Sequence, residues 1–146
     1  MLVILDTNVL LSALHAGSGP PAKILDAWRD GRFGVATSAE QIEEFRRAAR
    51  YPKLLPYLPR GAVGRMVNEL RAAEVLLERL RRAGDAPDPG DDYLLAMAIA
   101  AGADFLVTGD KPLLSVKRVG HARIVPPRRF AAMLAGTLDP DPVNSV

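Results

Sequence analysis

Short apolar runs alternate with longer stretches of helical period along this chain. LVIL (2–5) ends abruptly at Asp6, and FGVAT (33–37), FLVTGD (105–110) and ARIV (122–125) are similar brief runs closed by polar or Pro residues. Such runs predict buried strands. Between them the period lengthens. Residues 8–15 predict a helix that stops at AGSGPP (16–21), and residues 21–30 predict a second, with Pro at its first turn and Gly31 after its end. SAEQ (38–41) matches a capping box, and Ile42, Phe45 and Ala49 follow at helical spacing until YPKLLPYLPRG (51–61) breaks the pattern. Val63, Met66, Val67, Leu70, Ala73, Leu77 and Leu80 form one stripe, which predicts a long helix over 62–82. Asp88 and Pro89 resemble the start of another helix, which is apolar all round from Leu94 to Ala101, and 128–135 predicts a last one.

Strands that alternate with helices predict an α/β domain: a parallel sheet of four to five strands with helices on both faces. The length of 146 residues fits one domain, placed at 1–136, with an aperiodic tail at 137–146. Strand one is expected at the centre of the sheet.

Composition narrows the classes. The absence of Cys excludes disulfides, thiolate metal sites and a cysteine nucleophile, and fits a cytoplasmic setting. No apolar run approaches the roughly 20 residues that span a bilayer, so no membrane role is expected. The early Asp6 and the lack of a basic leader argue against a signal peptide. Net charge is only +2, but it is uneven. Residues 45–60 carry Arg46, Arg47, Arg50, Lys53 and Arg60 without an acid, residues 117–129 carry five bases without an acid, and 84–92 carries four Asp without a base. Basic patches beside an acidic cluster point to a polyanion held near a metal; ordinary solvated charge is the bland alternative.

The acids fall in telling places. Asp6 and Asp110 each stand just past the C-terminal end of a predicted strand, where ligand sites gather in open parallel sheets. Asp104 precedes its strand and belongs at the other edge. Asp92 shares a helical face with Leu95, Ala96 and Ile99, a face expected to be buried. Glu44 flanks the Ile42/Phe45 stripe. Together, Asp6, Glu44, Asp92 and Asp110 compose an all-oxygen pocket suited to Mg²⁺ or Mn²⁺, with their mutual repulsion raising at least one pKa. Each acid also has a plain reading: Asp6 as a helix N-cap, Asp110 as a turn residue, Asp92 and its neighbour Asp91 as partners of a helix dipole, Glu44 as surface.

Other residues carry less. His15 and His121 lack a partner at ligand spacing, and no Ser has a triad context. Trp28 reads as packing. Tyr51 and Tyr57, beside Arg50 and Lys53, suit either stacking on single-stranded bases or packing of a Pro-rich corner.

The segments LDTNVLLSAL (5–14), SAEQIEEF (38–45), DPGDDYLLAMAIAAGADFLVTGDKPLL (88–114) and RIVPPRRF (123–130) resemble the PIN domain. More narrowly they resemble its bacterial group of toxin components of toxin–antitoxin systems (VapC-like). The resemblance implies a three-layer α/β/α sandwich and a Mg²⁺- or Mn²⁺-dependent nuclease acting on RNA. Asp6, Glu44, Asp92 and Asp110 would be its metal-binding acids, with Glu43 competing for the second position. Asn8, Asp91 and Thr108 would be in support. It also implies a homodimer, a prospect the 62–82 stripe also raises, and a cognate antitoxin that covers the site. The chain departs from the family pattern at Pro112, Leu113 and Leu114, where a further acid is common, and at Ala48-Ala49, where the family has Val-Leu.

The expected activity is therefore endoribonucleolytic hydrolysis by metal-activated water, with Arg46, Arg47, Arg50 and Lys53 on the RNA. The competing readings are a catalytically silent PIN-like module that binds RNA or protein, and a phosphotransfer protein with Asp6 as nucleophile. The last would want an acid two residues after Asp6, where Asn8 stands.

Overall fold

The computed structural model describes residues 1–78 and 92–136, with Asp92 described by its backbone. Strand β1 (Leu2–Leu5) leads into α1 (Thr7–Ala16) and α2 (Pro20–Arg29); β2 (Gly34–Ser38) leads into α3 (Ala39–Ala49). After a 3-10 turn at Leu55–Tyr57 come α4 (Ala62–Arg71) and β3 (Val75–Leu77). Helix α5 (Asp92–Ala101) precedes β4 (Phe105–Val107), α6 (Lys111–Val116), β5 (Arg118–Val119), β6 (Ala122–Val125) and α7 (Pro127–Leu134).

The six strands stand in the order β3-β2-β1-β4-β6-β5. All neighbours are parallel except β5 and β6. β1 is central, paired with β2 through Val3 and Val35 and with β4 through Leu5 and Val107. The sheet is wider than four or five strands because two short edge strands, β3 and β5, extend it.

Alternation along each strand builds two cores. Val3, Leu5, Val35, Phe105, Val107 and Val125 face one side, where α1, α2, α3, α4 and α7 supply Leu10, Ile24, Phe45, Met66 and Phe130. Ile4, Ala36, Leu106 and Ile124 face the other, against Leu94, Leu95 and Met97 of α5 and Leu113 of α6. This is the expected α/β/α sandwich. Arg29 on α2 clamps Glu69 on α4 through two bonds of 2.8 Å, a bidentate pairing that fixes both position and orientation.

Two expectations need correction. The 62–82 stripe is not one helix: α4 ends at Arg71, and Val75–Leu77 pairs with β2 as an edge strand. Met66, Val67 and Leu70 are buried inside the protomer, so that part of the stripe is core. Leu80 lies outside the described residues, as do the expected helix start at Asp88-Pro89 and the tail 137–146. Nor is α5 buried all round: Leu94 to Ala98 are buried, but Ile99 is 52% exposed. The face argument for Asp92 therefore holds for the first turn only.

Candidate active site

The C-terminal edge of β1 and β4 carries a bonded chain of polar groups. Asp6 continues the ladder, its N–H donating to Val107 O at 2.9 Å. Its carbonyl then accepts from Val9 and Leu10, which starts α1. The Asp6 carboxylate makes no capping bond to that helix. It instead accepts from Thr108 Oγ1 at 2.6 Å, inside the protein. The same Thr108 oxygen accepts the Asp110 N–H at 3.0 Å. Thr108 thus ties together the two acids that sequence position assigned to this edge.

Burial pushes the Asp6 carboxyl above its ordinary value, because the charged form loses water. The Thr108 hydroxyl and the nearby backbone of Asn8 and Thr7 oppose the shift, and the charge of Asp110 adds a smaller push upward. Repulsion between acids is present, as expected, but desolvation is the larger cause. Asp110 is half-buried and caps α6, its Oδ2 accepting from Leu113 N–H at 3.1 Å. One oxygen of Asp110 thus serves as a helix N-cap rather than in the turn that its plain reading assumed.

Other candidates are spread around this pair. Glu44 is 42% exposed and pairs with Arg47 at 3.1 Å; Glu43 is exposed. Asn8 is exposed at the first turn of α1. Asp91 and the Asp92 side chain lie outside the described residues, but the Asp92 backbone opens α5, and the next hydroxyl, that of Tyr93, lies 3.4 Å from Thr7 Oγ1. The Tyr93 hydroxyl of α5 thereby reaches the residue that follows Asp6. Asp104 lies at the opposite edge, accepting from Leu2 N–H at 2.8 Å and facing His121 at 3.6 Å.

Sequence reasoning missed the support beneath the acids. Ser38 Oγ accepts from Gln41 N–H at 3.1 Å, one arm of the expected capping box. The other arm does not return to Ser38. The buried Gln41 amide donates to Leu5 O, the carbonyl just before Asp6, and accepts from Thr37 Oγ1 at 2.6 Å. Ser38 Oγ in turn reaches Met97 Sδ of α5 at 3.3 Å. A Gln inside a strand-to-helix junction was the available signal, but the capping pattern accounted for it too readily.

Among the described residues no group of three His, Cys, Asp or Glu side chains converges. Asp6 and Asp110 alone nevertheless fit a hard divalent cation. Both offer oxygen, one is buried with its charge poorly hydrated, and Mg²⁺ commonly takes only one or two carboxylates and keeps its other positions for water and phosphate. The ion pairs found among the described residues lie elsewhere, at Arg29–Glu69, Arg65–Glu69, Arg47–Glu44 and His121–Asp104.

A central parallel sheet thus delivers Asp6 and Asp110 to the C-terminal edge of its middle strands in an α/β/α domain. The sequence profile of the PIN domain matches residues 2–112, and the chain belongs to the PIN domain family. Proteins of this family are generally nucleases, typically use divalent metals and bind nucleic acid. An uncharacterized protein of Methanocaldococcus jannaschii, MJ1680, is similar as well: 29% identical over 139 residues, covering 88% of each chain. Neither match carries the narrower likeness to toxin components. No helix among the described residues is long and apolar enough to cross a membrane.

Proposed function

We propose that this PIN domain is a Mg²⁺- or Mn²⁺-dependent endoribonuclease, the toxin of a toxin–antitoxin pair acting in the cytoplasm. The observation that carries the reading is the buried Asp6 carboxylate held by Thr108, with Asp110 tied to the same hydroxyl. Asp6 and Asp110 would hold the cation, joined by Asp92 from the start of α5 and by Glu44 once it leaves Arg47, with Asn8 and Asp91 in support. A bound Mg²⁺ or Mn²⁺ supplies Lewis acidity toward the phosphate and lowers the pKa of water. The protein's own contribution is to orient. Thr108 fixes one oxygen of Asp6, so the other is presented in one direction. Arg46, Arg47, Arg50 and Lys53 bind backbone phosphates and carry no base information. No described side chain at this edge is a ready nucleophile, so water attacks and a 3′-hydroxyl leaves.

The test is end-group analysis of RNA products with and without EDTA. A 5′-phosphate and full sensitivity to EDTA and Asp110→Asn are expected. Cyclic phosphate ends, or cleavage that survives both, overturn the mechanism; RNA binding without any cleavage favours the silent module. A homodimer and an antitoxin belong to the same reading through the resemblance to toxin components. Light scattering at micromolar concentration tests the first, and co-purification with the product of a neighbouring short gene tests the second.

A further inference from the structure

Between α3 and α4 runs a groove of about 390 Å³. Arg46 and Arg50 of α3 and Arg71 at the end of α4 line it, above the buried Ala49 and Val67. None of the three arginines is ion-paired among the described residues. The chain leaves α3 at Arg50 and turns through 51–57. Leu54 and Leu58 anchor this corner by packing on the core. Tyr51 does not join them: it is 65% exposed. Packing of the Pro-rich corner is thus the work of the leucines, and the tyrosine is left facing water. With Pro52, Lys53 and Leu54 it borders a second concavity. Arg50 and Leu55 border the groove, and their chain neighbours Tyr51 and Leu54 border the hollow, so neighbouring residues line the two concavities.

An exposed aromatic ring next to guanidinium groups that have no ion pair among the described residues suits a ligand with phosphates and open base faces. Every base can stack on such a ring, and duplexes keep those faces hidden. A second copy of this chain is a poor occupant. A two-fold contact centred on the groove would bring the cations near its axis against their own copies, with no acid in residues 45–60 to offset them. We infer that the α3/α4 groove and the Tyr51 hollow form a subsite for single-stranded RNA, with phosphates on Arg46, Arg50 and Arg71 and a base stacked on Tyr51. The choice of RNA rests on the nuclease reading above. Helix α3 begins at Ser38, at the edge that holds Asp6, and its 11 residues extend roughly 16 Å before Arg50. The subsite therefore grips the strand away from the bond that is cut and makes the protein prefer unpaired RNA.

The test is fluorescence anisotropy in EDTA, which removes cleavage from the measurement. The probes are a labelled oligouridine, an abasic strand of equal length and an RNA duplex. Tyr51→Ala is expected to weaken oligouridine binding about tenfold, while Tyr51→Phe keeps it. The abasic strand should bind wild type more weakly and be indifferent to Tyr51→Ala. Joint replacement of Arg46, Arg50 and Arg71 by Gln should flatten the salt dependence. Unchanged oligouridine affinity in Tyr51→Ala, or abasic and duplex probes binding as well as oligouridine, overturns the subsite. A dimer in light scattering that Tyr51→Ala dissolves also overturns it, by assigning the surface to a second copy. Binding with the expected pattern in a protein that cleaves nothing retires the nuclease reading and keeps the subsite.

Discussion

Thr108 donates its hydroxyl proton to the Asp6 carboxylate at 2.6 Å across the two central strands, residues 102 positions apart in the chain. That bond decides what Asp6 can do. A carboxylate between a strand and a helix commonly caps the helix; Asp6 makes no full capping bond, although the N–H groups of Thr7 and Asn8 lie close enough to favour its charge.

Thr108→Val keeps the shape and removes the hydroxyl. The variant should lose about 1–3 kcal/mol of stability, since a buried charged acceptor loses its donor. Asp6 should also become harder to ionise, moving the acid limb of the pH–rate profile to higher pH. Thr108→Ser should stay near wild type. Urea denaturation and the pH–rate profile measure the two effects; a Val variant unchanged in both contradicts the role given to the bond.

The pKa of Asp6 gives stability a definite pH dependence. Its folded value lies above the ordinary 3.8. As pH rises from there to the folded value, the unfolded chain releases a proton that the folded chain keeps, so the contribution of Asp6 to stability falls and stays low above that window. Without metal, Asp6→Asn should melt higher than wild type at neutral pH, by about 3–4 °C for each kcal/mol recovered. The gap should close toward pH 4 and shrink when Mg²⁺ is added to wild type. Thermal melts across pH with EDTA or Mg²⁺ check this, and a wild type more stable than Asp6→Asn at neutral pH in EDTA would count against it.

Gln41→Leu fills similar volume without the amide. Leu5 O and Thr37 Oγ1 each lose a buried partner, and the expected cost is about 1–3 kcal/mol. Because Leu5 immediately precedes Asp6, cleavage should fall further than the lost folded fraction explains. Activity measured on protein confirmed folded by circular dichroism separates the two.

Glu43 and Glu44 are told apart by substitution. Glu43→Gln, at an exposed position, should leave metal-dependent cleavage unchanged, whereas Glu44→Gln should lower it at least about tenfold if Glu44 joins the cation. Arg47→Ala frees Glu44 from its 3.1 Å partner and should tighten Mn²⁺ binding measured by calorimetry. Equal effects of the two Gln variants would remove Glu44 from the site.

Among the described residues, Lys117 is the non-glycine residue with positive φ, 68°, where the chain turns from α6 into β5. Lys117→Gly should raise stability by up to about 1 kcal/mol, relief of side-chain strain outweighing the extra chain entropy. A loss of stability in urea denaturation would mean that the lysine side chain contributes more than its backbone costs.

The four strands that build the centre of the sheet were legible because each is a short apolar run closed by a polar group. The edge strands were not. Val75–Leu77 continues the spacing of α4, and three half-exposed residues satisfy helical and extended patterns alike. Asp6 and Asp110 were legible because strand ends are legible. Thr108 came from likeness to a family, and nothing in its spacing announces a hydroxyl shared by two acids. The route of the Gln41 amide was hidden for a related reason: the capping pattern fixes the backbone of α3 but leaves the far end of the side chain free to choose Leu5.

The β1–β4 pairing joins two halves of the molecule, β3-β2-β1 from the first 78 residues and β4-β6-β5 from residues after 104. Asp6 sits on one side of that seam, Thr108 and Asp110 on the other. During synthesis, a ribosome that has made the first half has made no site at all, because Asp6 lacks its hydroxyl partner and its neighbouring acid until the second half has emerged and docked. Pairing across such a distance in sequence comes late in folding. A chain that cuts RNA would thus be harmless to the message from which it is being translated until that second half has docked.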